Sequence, residues 1–231
     1  NHEWIIKIPG EVFGILIIPA IFWFTLKLTK ESRIALTAAF FTAIAPFEIF
    51  FSRKSFENIA GIFFLLIGVS CFLSYVEKKQ NIRWLYLAVL SLSLGMYTYF
   101  SHAIIIPFLL LSFVIIYRKL FLGNIRRLVG PALFFALLVT PLILIILTNS
   151  DSRVRTQTVF ITQDPLLGQQ LGFGRLLDVK TIASYSFNRY LKQFDPVYIF
   201  GNGLSLTNQN LLDIGTLFVF QFPFLIVALE H

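Results

Sequence analysis

The sequence has few charged residues and a single cysteine. Only 13% of its 231 residues are charged, whereas 57% are hydrophobic and 27 are phenylalanine. A soluble domain usually carries about 25% charged residues, because its surface faces water. The shortage of charge therefore excludes a soluble globular protein and indicates a chain that lies in a lipid bilayer. The lone Cys71 stands in an apolar run, which excludes an internal disulfide and predicts a buried, inert thiol.

The common catalytic and ligand-binding signatures are also missing from the sequence. It has no phosphate-binding loop of the Walker type, no GxGxxG, no CxxC pair and no HExxH. The spacing of possible ligands in the sequence therefore predicts no metal site. The net charge of +7 is divided among several loops and forms no basic stripe with interleaved aromatics, so nucleic acid is excluded as a partner.

Long apolar runs fill most of the chain. A helix needs roughly 20 apolar residues to cross about 30 Å of hydrocarbon. None of the runs carries Lys or Arg near its middle, where each would cost about 2.5–3.5 kcal/mol. The sequence thus predicts an all-α integral membrane protein with about seven transmembrane helices, at residues 11–28, 34–51, 56–76, 84–101, 103–117, 128–148 and 211–229.

The basic residues of the short loops predict the orientation of these spans. They follow the first, third and fifth spans: Lys27, Lys30 and Arg33; Lys78, Lys79 and Arg83; Arg118, Lys119, Arg126 and Arg127. With seven crossings these three loops fall on one side, which the positive-inside rule makes cytoplasmic. We therefore expect a multi-pass protein of a bacterial inner or cell membrane, with its functional site facing outward.

The predicted domains are a transmembrane bundle of about six spans (1–148), an extracytoplasmic, partly helical loop domain (149–210) and a further span (211–229). In the loop domain, apolar residues recur at intervals of three and four positions from Leu176 to Phe194. This spacing predicts an amphipathic helix ended by Asp195-Pro196. Its apolar stripe should lie on the membrane surface or against the bundle. The last residues, 229–231, resemble the start of a vector-encoded His tag. At the other end, the absence of an initiator Met at Asn1 suggests a fragment.

Four charged residues crowd the outer turn between the second and third spans: Glu48, Arg53, Lys54 and Glu57. Arg53 and Glu57 would share a helical face if the third span begins by Arg53. A structural interpretation has Ser52 or Ser55 capping that helix while Arg53 and Lys54 extend to the interface. In a functional interpretation, Arg53 and Lys54 form a phosphate-binding site. Glu48 stands among apolar residues and needs a partner, for which Arg53 is the nearest candidate.

Tyr97, Tyr99 and His102 form a second polar group, at the predicted turn between the fourth and fifth spans. They would line the outer end of the bundle. The aromatic belt of membrane proteins places Tyr at this depth without any catalytic purpose, so a belt and a binding site both fit these residues.

Four stretches carry a resemblance to a known family: WIIKIPGEVFGILIIPAIFWF, APFEIFFSRKSFENIAGIFFLL, LGMYTYFSHAIIIPFLLL, and YLKQFDPVYIFGNG followed by GTLFVFQFPFLIVAL. They resemble, in order and spacing, the GT-C superfamily of polytopic glycosyltransferases, in the branch of protein O-mannosyltransferases and aminoarabinose transferases. Lys7 stands where that family usually has Arg.

The resemblance implies an inverting sugar transfer from a polyprenyl-phosphate-linked donor to a lipid, glycan or protein acceptor on the extracytoplasmic face. In such enzymes an acidic residue in the loop after the first span is the general base, which we therefore expect upstream of Asn1. Arg53, Lys54 and His102 would supply positive charge to the phosphate leaving group. Besides the donor and membrane lipids, no cofactor is required by the resemblance, and a divalent metal stays an open alternative.

Three other functions compete with the transferase. A polysaccharide polymerase or ligase shares its geometry. A transporter would place polar groups near the bilayer midplane in repeated halves, whereas here they gather at the outer ends and no repeat is visible. A structural membrane subunit would need no catalytic loop.

Overall fold

The computed structural model describes residues 3–54, 57–77, 81–123, 125–148, 179–202, 217 and 221. In these residues the chain is helical and forms no strand, as an all-α membrane protein requires. The helices are α1 (Glu3–Thr29), α2 (Ser32–Ile44), α3 (Pro46–Arg53), α4 (Glu57–Glu77), α5 (Ile82–Thr98), α6 (Phe100–Ile116), α7 (Arg118–Leu122), α8 (Ile125–Thr148) and α9 (Val179–Lys192), followed by a π-helical turn at Val197–Asn202.

Three of the described helices, α1, α4 and α8, are long and apolar enough to cross a membrane. The second predicted span is broken into α2 and α3, which meet at 54° and together make a fourth candidate. Pro46 explains the break, because it cannot donate a helical hydrogen bond and it holds Ala45 in an extended conformation. The fourth and fifth predicted spans are α5 and α6, apolar helices of 17 residues each. The predicted span at 211–229 falls outside the described residues, apart from Leu217 and Gln221.

Charged contacts join two of the described helices, α1 and α4, at one end. Lys27, in the last turn of α1, lies 2.6 Å from a carboxylate oxygen of Glu77 at the end of α4. Lys30 bonds to the other oxygen of the same carboxylate. Helices α1 and α4 therefore end side by side, as expected for two spans that cross in the same direction.

Aromatic and apolar packing brings the remaining basic loops to this same end. Trp23 of α1 contacts Trp84 at the start of α5, with ring centroids 6.0 Å apart. Phe72 of α4 stacks on Phe113 of α6 at 4.1 Å and also contacts Phe121 of α7. The buried Cys71 belongs to this cluster, as predicted. We call the end formed by residues 23–33, 77, 81–86, 117–123 and 125–128 the basic end.

The opposite end of the bundle, which we call the distal end, holds the break between α3 and α4 and the turn between α5 and α6. Here Gly14 of α1 lies so close to Ser52 of α3 that a Cβ on the glycine would overlap the serine Cβ. A second close approach joins Gly61 of α4 to His102 of α6. All seven candidate site residues lie on the helices or turns of this end.

The chain divides into two compact units, 1–142 and 143–231. In the second unit, α9 confirms the amphipathic helix predicted from the apolar repeat, with Phe187, Tyr190 and Leu191 exposed along one side. The chain turns after it where Asp195 accepts a hydrogen bond from the amide of Val197 at 2.9 Å. Most of the predicted loop domain, including Leu176, lies outside the described residues, so its boundaries stay a prediction.

Glu77→Gln is expected to lower the free energy of unfolding by about 0.5–1 kcal/mol, because it weakens the two ion pairs that join α1 to α4 at a partly exposed site. Thermal unfolding of the purified protein measures the change. Glu31→Gln is the matched control, since Glu31 is exposed at the same end and its side chain makes no capping bond. Equal melting curves for the two variants would show that the pairs contribute nothing.

Candidate functional site

Helix α3 carries the first group of candidate residues. Pro46 occupies its first turn, where a missing amide hydrogen costs nothing, and Glu48 lies in the same turn, where a carboxylate is stabilised by the helix dipole. The Oε1 atom of Glu48 is nonetheless buried and has no hydrogen-bond partner among the described residues. Arg53, the predicted partner, does not bond to this oxygen. The carboxylate thus keeps one unsatisfied acceptor at the distal end.

The two cations of this group follow at the end of α3. Arg53 is its last residue and is exposed. Lys54 caps the helix and is also exposed, with its ammonium 4.9 Å from the centre of the Phe50 ring. A cation over an aromatic face is held in place without losing its charge. The pair therefore presents two adjacent positive charges at the point where α3 ends.

Two possibilities raised for this turn do not hold for the described residues, and Ser55, the other residue considered for the cap, lies outside them. Arg53 and Glu57 do not share a helical face, because α3 ends at Arg53 and α4 begins at Glu57. Ser52 does not cap α4 either, since its hydroxyl donates to the carbonyl of Ile49 within α3 at 3.0 Å. The reason is that Arg53 and Ser52 belong to α3, a short helix that ends before α4 begins. Glu57 does lie in the first turn of α4, where its charge complements the positive helix terminus.

His102 belongs to the second group and is only 5% exposed. It lies in the first turn of α6, with its amide donating to the carbonyl of Tyr99 at 3.0 Å. Its imidazole packs against Gly61 of α4, and the Tyr99 ring stands nearly perpendicular to it at 6.3 Å. The Nδ1 atom has no hydrogen-bond partner in the described part of the chain. The imidazole therefore lies inside the bundle, between α4 and the start of α6, rather than on its rim.

Gly61 is required for this arrangement, and the sequence reasoning missed it. A Cβ at position 61 would stand 2.6 Å from the imidazole of His102 and 2.7 Å from the hydroxyl of Thr98. Thr98 is itself held by donating to the carbonyl of Gly95 at 2.7 Å. A glycine inside an apolar run marks a close helix approach in membrane bundles, and this signal could have identified the position.

Tyr97 makes a different contact from its neighbours. It is exposed at the surface of α5, and its hydroxyl donates to the carbonyl of Leu138 in α8 at 2.5 Å. Tyr97 thus ties α5 to α8, whereas His102 packs against α4.

Helix α4 connects the two groups. Glu57 begins it and Gly61 follows four residues later, on the same face and about 6 Å further along the axis. Helix α4 therefore begins about one turn before the place where His102 packs against it. The two exposed cations can bind an anionic group at the edge of an apolar bundle. The buried Glu48 Oε1 and His102 Nδ1 atoms keep hydrogen-bonding capacity that no described residue uses.

The model of one protein family, described as dolichyl-phosphate-mannose-protein mannosyltransferase, matches residues 1–145. The chain belongs to this family. It is a membrane glycosyltransferase of the GT-C type. Comparisons with curated proteins and with solved structures find no significant match.

The matched range contains the whole of both residue groups, from Glu48 to His102. The family assignment therefore applies to the part of this glycosyltransferase that forms the distal end. Among the described residues, no cluster of three or more His, Cys, Asp or Glu side chains could hold a metal ion.

Proposed function

We propose that this glycosyltransferase moves a sugar, with inversion, from a polyprenyl-phosphate-linked donor to an acceptor at the distal end of its bundle. The observation that carries the proposal is the family match over residues 1–145, because it includes every candidate site residue. The acceptor is a lipid, a glycan or a protein. The family description names mannose and dolichyl phosphate, which makes a mannose donor the first one to try.

The charges at the end of α3 suit the leaving group of this reaction. When the sugar–phosphate bond breaks, negative charge develops on the polyprenyl phosphate, and positive groups placed in advance stabilise the transition state. Arg53 and Lys54 are adjacent, exposed and next to the apolar part of α3. A guanidinium binds two phosphate oxygens at once, and the ammonium adds a second charge. In this proposal both side chains contact the phosphate.

His102 has a different role in the proposal, because its imidazole is buried against Gly61. It fixes the start of α6 against α4 and so positions the turn that carries Tyr99. The exposed Tyr99 and the carboxylate of Glu48 are the groups left to contact the sugar or the acceptor. No residue of the chain is assigned here as the general base.

A transfer assay with the full-length protein tests the proposal. The protein in liposomes would receive polyprenyl-phosphate mannose with a labelled sugar, and release of free polyprenyl phosphate would be followed together with labelled product. Anomeric analysis of the product should show inversion. Transfer of preassembled oligosaccharide chains with no transfer of single sugars would instead indicate a polymerase or ligase and contradict the proposal.

The distal end is further expected to face outward and the basic end inward. Lys54→Cys and Lys119→Cys place single thiols at exposed positions of the two ends, in a chain whose native Cys71 is buried. In intact cells an impermeant thiol reagent should label the first variant and leave the second unlabelled until the cells are opened. The opposite pattern would reverse the orientation of the site.

A further inference from the structure

An apolar groove lies at the basic end, far along the bundle from the candidate site. It has a volume of about 410 Å³ and runs between α5, α6, α7 and α8. This volume lies within the range of about 300–1,000 Å³ typical of pockets that bind small molecules. Its walls include Val89 of α5, Val114 of α6, Leu122 of α7 and Ala132 of α8. Leu122 is 71% exposed and Val114 is 51% exposed, so the groove opens to the outside of the described bundle.

One charged side chain lines this groove. Arg118, the first residue of α7, is exposed at its edge. Three further exposed cations, Lys119, Arg126 and Arg127, belong to the same loop region between α6 and α8. No Asp or Glu occurs in the sequence between Glu77 and Asp151, and Glu77 already bonds to two lysines. The positive charge at this edge is therefore not balanced by a carboxylate from the surrounding sequence.

We propose that this groove binds an anionic glycerophospholipid, with an acyl chain between α5, α6 and α8 and the phosphate on Arg118. An apolar groove on a membrane bundle that ends at a basic edge matches the division of such a lipid into a hydrocarbon tail and a negative headgroup. Basic pockets between membrane helices on the cytoplasmic side are a known type of lipid headgroup site. A guanidinium also suits a phosphodiester better than an ammonium does, because it donates two parallel hydrogen bonds. The site depends on the membrane location of the chain and not on the proposed transfer reaction.

Native mass spectrometry of the full-length protein tests this site with two defined probes. The detergent-purified protein would be mixed with phosphatidylglycerol or with phosphatidylcholine of the same acyl chains, and the retained lipid counted. Arg118→Gln removes the proposed headgroup contact, and Arg83→Gln is its control, an exposed arginine of the same end that does not line the groove. Ala132→Trp fills the groove, and Ala136→Trp adds the same bulk one turn away, outside it.

The site predicts that wild-type protein retains phosphatidylglycerol in preference to phosphatidylcholine. Arg118→Gln and Ala132→Trp should each weaken that retention by about tenfold, the size of effect expected for one charged contact or one blocked chain, while both controls keep it. Equal retention of the two lipids, or Arg118→Gln binding as wild type does, would overturn the proposal. Loss of all phospholipid from the wild type would do so too, since the groove would then be covered by another part of the protein. Arg118 is exposed, so its variant tests the headgroup contact even if Ala132→Trp unfolds the bundle.

Discussion

Arg53→Ala in the full-length protein is expected to lower sugar transfer by about 100-fold, the loss typical of removing one group that stabilises transition-state charge. Arg53 ends α3 with its side chain exposed, so the substitution removes no buried packing. Surface changes of this kind usually alter stability by less than about 0.5 kcal/mol. Expression and melting temperature should therefore stay at wild-type values while turnover falls.

Two variants make the Arg53 result specific. Arg53→Lys keeps the charge but loses the paired hydrogen bonds, so its activity should lie between those of the wild type and the alanine variant. Arg33→Ala removes an equally exposed arginine from the first turn of α2, at the basic end, and should leave transfer unchanged. If Arg53→Ala turns over substrate at the wild-type rate, the side chain of Arg53 only extends to the membrane interface and does not contact the phosphate.

Gly61→Ala is expected to lower the free energy of unfolding by about 1–3 kcal/mol, the usual cost of adding bulk to a packed interior. The new methyl group would lie 2.6 Å from the His102 ring and 2.7 Å from the Thr98 hydroxyl. These atoms come from the two sides of the α5–α6 turn, and His102 is buried, so α4 or the turn must move. We therefore expect transfer to fall together with the melting temperature.

Gly123→Ala is the control for this change, because the nearest atom to its new methyl group is the Lys119 carbonyl oxygen at 3.4 Å, an ordinary contact. The double variant Gly61→Ala, His102→Ala removes the clashing ring but leaves the close approach to the Thr98 hydroxyl, so it should recover part of the lost stability. If transfer stays low in this recovered variant, His102 positions the site as well as filling space. An unchanged melting temperature in Gly61→Ala alone would contradict the packing described here.

Much of the helical architecture could be predicted from the sequence because hydropathy is a local property. Apolar runs predicted α4, α5, α6 and α8 to within about three residues of their observed bounds, whereas α1 begins eight residues before the predicted span. The basic residues after the first, third and fifth spans predicted which helix ends lie together, and the contact of Lys27 with Glu77 confirms it for α1 and α4. The family resemblance was likewise accessible from the sequence, and three of the four stretches that carry it lie within the matched residues 1–145.

The arrangement of the candidate site could be predicted only in part. The charged residues near Arg53 and the polar residues near His102 were recognisable because they interrupt apolar runs. The environments of these residues could not be predicted, because the same polar side chain can extend to the membrane interface or pack inside the helix bundle. Arg53 and Glu57 would share a helical face only if the third span began by Arg53. Helix α4 begins at Glu57 instead, and no Pro or Gly between the two residues marks that boundary in the sequence.

The sequence by itself determined that this chain is a helical membrane glycosyltransferase, because composition, span length and family motifs act within short stretches of the chain. Only the tertiary structure decided that His102 is buried against Gly61, that Tyr97 bonds to α8 and that Arg118 borders an apolar groove. Each of these facts depends on which helices touch. Which helices pack together depends on the shapes of side chains that are distant in the sequence, and hydropathy does not encode those shapes.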